Sequence, residues 1–138
     1  MDQNSDIPRV GFFLYSPNDK KVLIHKRDDE TENSPNMWDY FGGSFEPVDL
    51  GKAEEALHRE LYEELGISVD KDSVKLLVKS GNETIYYILF PKYKTRELRL
   101  DEGAGFAWFS FDEVLGFDEG ILTPKAKTYL VKLKDTVL

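Results

Sequence analysis

At 138 residues, 41% of them hydrophobic, the chain is long enough for one compact domain around a single core and too short for two ordinary ones. A formal net charge of −8 opposes non-specific binding to DNA or RNA, which rests on cationic groups replacing counterions along the phosphate backbone. With no cysteine, disulfides, thiolate metal sites and cysteine nucleophiles are excluded, so any catalysis must use oxygen or nitrogen groups.

No window approaches the roughly 18 apolar residues of a membrane-spanning helix, and the polar opening Met1 to Asp6 lacks the apolar core of a signal peptide. One soluble, cytoplasmic domain over residues 1–138 is expected, with no internal repeat or linker to divide it. Arg9 to Ser16 reads as a strand that stops at the turn signal Pro17-Asn18-Asp19, and Lys21–Arg27 as its hairpin partner. The polar stretch Asp28 to Asn36 is a loop leading into Trp38-Asp39-Tyr40-Phe41 and the pair Gly42-Gly43. Lys52 to Leu65 contains no Gly, Pro or β-branched residue, and Gly66 stands where a left-handed cap belongs, so a helix is predicted there. Strands are predicted at Val74–Lys79, Thr84–Tyr93 and Ala104–Ser110, a short helix at Phe111–Phe117, and a last helix after Pro124. This order gives a mixed-sheet α/β domain with helices on its faces.

The predicted central helix carries the chemistry. At about 100° per residue, Ala53, Ala56, Leu57 and Leu61 form one apolar stripe, and Glu60 and Glu64 project within roughly 20° of Ala53 on that stripe. Both carboxylates therefore point toward the protein body, with Glu63 beside them, while Glu55, His58 and Tyr62 face outward. Like charges at i and i+4 destabilise an isolated helix, and partial burial adds a desolvation cost unless positive charge is supplied. Arg59 is one cation against three anions, an imbalance that divalent ions with a preference for carboxylate oxygen would resolve.

Gly43, followed after a loop by Arg59-Glu60-Leu61-x-Glu63-Glu64-x-Gly66-Ile67, resembles the Nudix box, Gx5Ex7REUxEExGU with U aliphatic. Trp38 through Gly43 is similar to the stretch that leads into the box, and Glu102-Gly103 through Trp108-Phe109 to an acidic-glycine and aromatic segment downstream. The resemblance implies an α/β/α sandwich around a mixed β-sheet and a box that binds magnesium or manganese. It implies Glu60, Glu63, Glu64 and the Gly43 carbonyl as metal ligands, with Arg59 orienting the carboxylates. Glu60, Glu64 or Glu102 would accept the proton from the attacking water. Arg27 resembles a position that reaches substrate phosphate, and Tyr40 and Phe41 are candidates to stack on a base, in competition with ordinary core packing. His25 and His58 lack a supporting acid and read as structural or solvent-facing.

One departure stands out: the box expects a glutamate six positions after Gly43, where this chain has Asp49, and nine residues, Leu50 to His58, precede Arg59 in place of seven. Placing the gap earlier puts Gly51 at that position and removes the carboxylate. The expected activity is hydrolysis of a diphosphate linkage in a nucleoside triphosphate or related nucleoside diphosphate derivative, a small nucleotide-like substrate. The alternative is a non-catalytic nucleotide-sensing Nudix module. Isopentenyl diphosphate isomerase chemistry, on the same fold, needs a cysteine. The asparagine by which 8-oxo-dGTP hydrolases read the purine is replaced by Ile121-Leu122-Thr123-Pro124, which argues against that specificity. Oligomeric state is left open by the sequence.

Overall fold

The computed structural model describes residues 7–29, 34–100 and 103–138. Its sheet is built on β1 (Arg9–Ser16), whose run of apolar residues is buried on both faces, as expected of a central strand. Along one edge β1 pairs in parallel with β6 (Glu83–Leu89), from Arg9 opposite Glu83 to Tyr15 opposite Leu89. Its other edge is shared by β4 (Phe41–Ser44), antiparallel to the first half, and β2 (Lys21–Lys26), antiparallel to the second. The pair β3 (Trp38–Asp39) and β7 (Gly105–Ser110) flank β2, and β5 (Val74–Ser80) closes the far edge beside β6. Seven strands thus make one mixed sheet among the described residues.

Alternation along the strands sends side chains to two separate cores. On one face Val10, Phe12, Leu14, Leu23 and Phe41 pack against Leu57, Leu61 and Leu65 of α1 (Ala53–Leu65). On the other, Phe13, Val22, Ile24 and Ile85 meet Val114 of α2 (Phe111–Leu115) and Ala126, Leu130 and Leu133 of α3 (Pro124–Val137). The result is the expected α/β/α sandwich. No described helix is long and apolar enough to cross a membrane.

Several boundaries differ from the sequence expectation for local reasons. The strand predicted to run to Tyr93 ends at Leu89, because Pro91 has no N–H for the ladder and Lys92–Glu97 turns into a 3-10 helix. The second strand stops at Lys26, so Arg27 lies just beyond it. The short helix ends at Leu115, its carbonyls turning onto the Gly116 N–H. In α1, Gly66 takes the left-handed cap at φ 70° and donates its N–H to the Tyr62 carbonyl at 2.9 Å.

Candidate active site

Asp49, not Gly51, occupies the position of the box's first acid. Glu46 and Asp49 bracket a 3-10 turn, Pro47–Asp49, in which the Asp49 carboxylate accepts from the Glu46 N–H at 2.7 Å. Leu50 and Gly51 follow with φ of 54° and 73°, turning the chain sharply into α1 and taking up the slack of the longer loop. Asp49 is 1% exposed and receives Arg59 through two nitrogens, Nε at 3.0 Å and Nη2 at 2.9 Å. This is the fork geometry that only a guanidinium offers a carboxylate. The Arg59 guanidinium holds the Asp49 carboxyl well below the usual carboxylate range, against the opposing effect of burial.

Arg59 gathers the rest of the cluster. Its Nη1 donates to Glu60 at 3.0 Å and Glu63 at 2.9 Å and lies 3.1 Å from Glu46, while Nη2 also reaches the Ser44 carbonyl at 3.0 Å. One guanidinium therefore serves four carboxylates. Glu60 and Glu64, at 8% and 4% exposure, lie on the core side of α1, where the helical spacing put them; Glu63 stays half exposed. Burial raises the Glu60 pKa, outweighing the opposing pull of Arg59. Gly43 of β4 runs so close to this helix that a Cβ on it would lie 2.5 Å from Glu60 Oε1. Only glycine lets the backbone approach the carboxylate in this way.

These residues fit a hard divalent cation by their chemistry: buried carboxylate oxygens in excess over cationic groups, beside a backbone that glycine brings within reach. Among the described residues no three Asp, Glu or His side chains converge into a ready cage, because Glu60 and Glu63 are turned onto Arg59.

The candidate substrate residues fare differently. Arg27 is half-buried and forms an ion pair with Asp39 at 3.3 Å. Phe41 is fully buried under α1, stacked on Phe12 at 5.2 Å and on His25 at 4.7 Å, so its ring has no face left for a base. Tyr40 turns to the opposite side of the sheet, against Phe13 and Tyr129, with its hydroxyl on Glu83 at 2.7 Å. For this pair core packing wins, because successive residues of an extended segment face opposite ways. His25 is buried, its Nε2 bonded to the Tyr40 carbonyl, and burial lowers its pKa. Glu102 lies outside the described residues.

Glu46 and Asp39 were not singled out by sequence. Glu46 sits three residues before Asp49 across Pro47, the spacing of a capping box, which is the signal that could have found it. Asp39 accepts from the Thr123 hydroxyl at 2.7 Å and thereby ties the entry of β4 to the start of α3.

No curated protein matches the chain. Among solved structures it is similar to a MutT/nudix family protein from Enterococcus faecalis, at 16% identity and TM-score 0.72, covering 99% of this chain and 64% of that one. The chain thus spans somewhat less than two thirds of that relative. It is also similar to a MutT NUDIX hydrolase from Burkholderia pseudomallei, with 24% identity, TM-score 0.64, and coverage of 91% and 98%. The NUDIX domain of Shewanella oneidensis NrtR, solved with ADP ribose, matches at 14% identity and TM-score 0.73, with coverage of 100% and 94%. At these identities the structural likeness speaks for the fold alone. The profile of the NUDIX domain matches residues 6–130, and with that span added to the box geometry, the chain belongs to the Nudix family.

Proposed function

We propose that this protein is a metal-dependent hydrolase that cleaves a diphosphate linkage in a nucleoside triphosphate or a related nucleoside diphosphate derivative. The observation that carries this reading is the Arg59 cluster: one guanidinium held by Asp49 and in turn holding Glu63 and Glu60, the latter beside the Gly43 backbone. Glu60, Glu63, Glu64 and the Gly43 carbonyl would hold magnesium or manganese, an all-oxygen donor set. Once bound, such an ion would supply positive charge to phosphate oxygens and make a bound water more acidic. Arg59, fixed by Asp49, would keep Glu60 and Glu63 gathered at the site and offset part of their charge until they turn to the ion. Glu60, Glu64 and Glu102 are the candidates to accept the water's proton on a carboxylate oxygen. Arg27, beside Asp39 at the end of β2, would contact substrate phosphate.

A ligand-sensing module is the second reading, favoured by the ADP ribose held in the NrtR domain of the same fold. A panel of nucleoside triphosphates, dinucleotides and nucleotide sugars, incubated with magnesium and analysed for products, tests both. Cleavage at a phosphoric anhydride supports the hydrolase. Calorimetric binding without turnover supports the sensor, and neither binding nor turnover overturns both.

A further inference from the structure

We propose that Glu83, acting through Tyr40 and Arg9, is a positioning residue for β4, the strand that lays Gly43 and Ser44 against Glu60 and Arg59. Glu83 opens β6 on the α3 side of the sheet, away from α1, and is 3% exposed. Four groups from three other parts of the fold converge on its carboxylate. The Tyr40 hydroxyl donates to Oε2 at 2.7 Å and the Tyr129 hydroxyl to Oε1 at 2.9 Å. Lys125 Nζ lies 3.3 Å from Oε1 and Arg9 Nε 4.0 Å from Oε2.

Two of these contacts lead to β4, one at each end. Tyr40 immediately precedes Phe41, the first residue of the strand, and its ring lies over Gly11 of β1, where a Cβ would come within 2.6 Å of it. Arg9, opposite Glu83 in one ladder and opposite Ser44 in the other, donates from Nη1 to the Ser44 hydroxyl at 3.0 Å. Ser44 is the last residue of β4, and its carbonyl accepts from Arg59. Glu83 thus fixes the entry and exit of a four-residue strand whose third residue abuts Glu60 and whose fourth holds Arg59. The other two contacts, Tyr129 and Lys125, come from α3; the Tyr129 ring also meets the Tyr40 ring edge-on at 5.4 Å, a packing contact that loss of the Tyr129 hydroxyl leaves in place. A short strand with both ends tethered has few ways to drift, and a carboxylate cluster gains from a backbone that holds still.

The two tyrosines supply a matched pair of probes. Tyr40→Phe and Tyr129→Phe each remove one hydroxyl bond to the same carboxylate, but only the first loosens β4. Backbone hydrogen exchange of residues 41–44 is to be compared in wild type and both variants, with manganese binding to the same full-length samples by calorimetry. Tyr40→Phe is expected to speed exchange of this segment by about fivefold and to weaken manganese binding by about threefold or more, with Tyr129→Phe leaving both within about twofold. Arg9→Gln, a change at a part-exposed side chain, is expected to speed exchange at Ser44 in the same way. Equal effects from the two tyrosine variants, or no effect from Tyr40→Phe and Arg9→Gln, overturn the proposal. The metal arm rests on the proposed function: wild type that binds no manganese overturns that reading, and the exchange arm still decides the role of Glu83.

Discussion

Asp49 and Glu64 are both buried acids of the box, yet they should fail differently when changed. Asp49 is spent on Arg59, so Asp49→Asn should cost about 2 kcal/mol of stability, the loss of a charge-assisted pair. Its folded pKa lies below the unfolded value of about 3.9, so its stabilisation is complete above that pH and is lost as pH falls through the depressed folded value. The thermal midpoint of wild type should therefore drop more steeply than that of Asp49→Asn below about pH 4, and parallel curves would refute this. Glu64→Gln keeps shape and volume and removes a charge from the proposed metal site, so turnover should fall by about a hundredfold or more with the fold intact. Near-normal turnover in the purified variant would remove Glu64 from the mechanism. Off the box, Glu102→Gln should lower kcat by about tenfold with little change in stability, and Asp101→Asn should be nearly silent. Similar behaviour of the two variants would cancel the assignment of Glu102.

Among the elements, the turn between β4 and α1 adapts the site to an unusual spacing. Gly51 holds φ 73° with nothing within 4 Å of a would-be Cβ, so Gly51→Ala should cost only about 1 kcal/mol, the strain of a left-handed alanine. Gly66→Ala meets similar strain at φ 70°, and the Arg99 guanidinium above it ends an exposed, flexible side chain that can swing aside, so the two variants should lose similar stability in denaturant titrations. Helix α1 was legible in the sequence because its apolar stripe, its acids and Gly66 all follow one period, and the burial of Glu60 and Glu64 agrees with it. Asp49 was ambiguous because spacing alone does not say where a loop takes up two extra residues; the 3-10 turn and the residues after it decide that. The strands β3 and β4 were not recognisable, being two and four residues long, too short for alternation to register. Without them the opposite facing of Tyr40 and Phe41 could not be read. The polar network around Glu83 joins residues distant in the chain, and no local pattern announces it.

For the whole molecule, the proposed metal site has a consequence for stability, because carboxylates gathered around Arg59 would bind a cation better than the unfolded chain does. Millimolar magnesium or manganese should raise the thermal midpoint, by about 2.7 kcal/mol of stabilisation when the free ion is a hundredfold above its dissociation constant. An unchanged midpoint would count against the proposed metal site. The sheet topology has a separate consequence for how the chain comes to be folded. β1 finds β2 and β4 from nearby sequence, but its whole remaining edge is closed by β6, which arrives only after α1 and β5. During synthesis the most apolar strand of the protein therefore waits with an open hydrogen-bonding edge, a template for pairing with another chain. The price of a long-range parallel closure is slow folding, and nascent chains stopped short of Glu83 should collect in aggregates where the full-length protein stays dispersed.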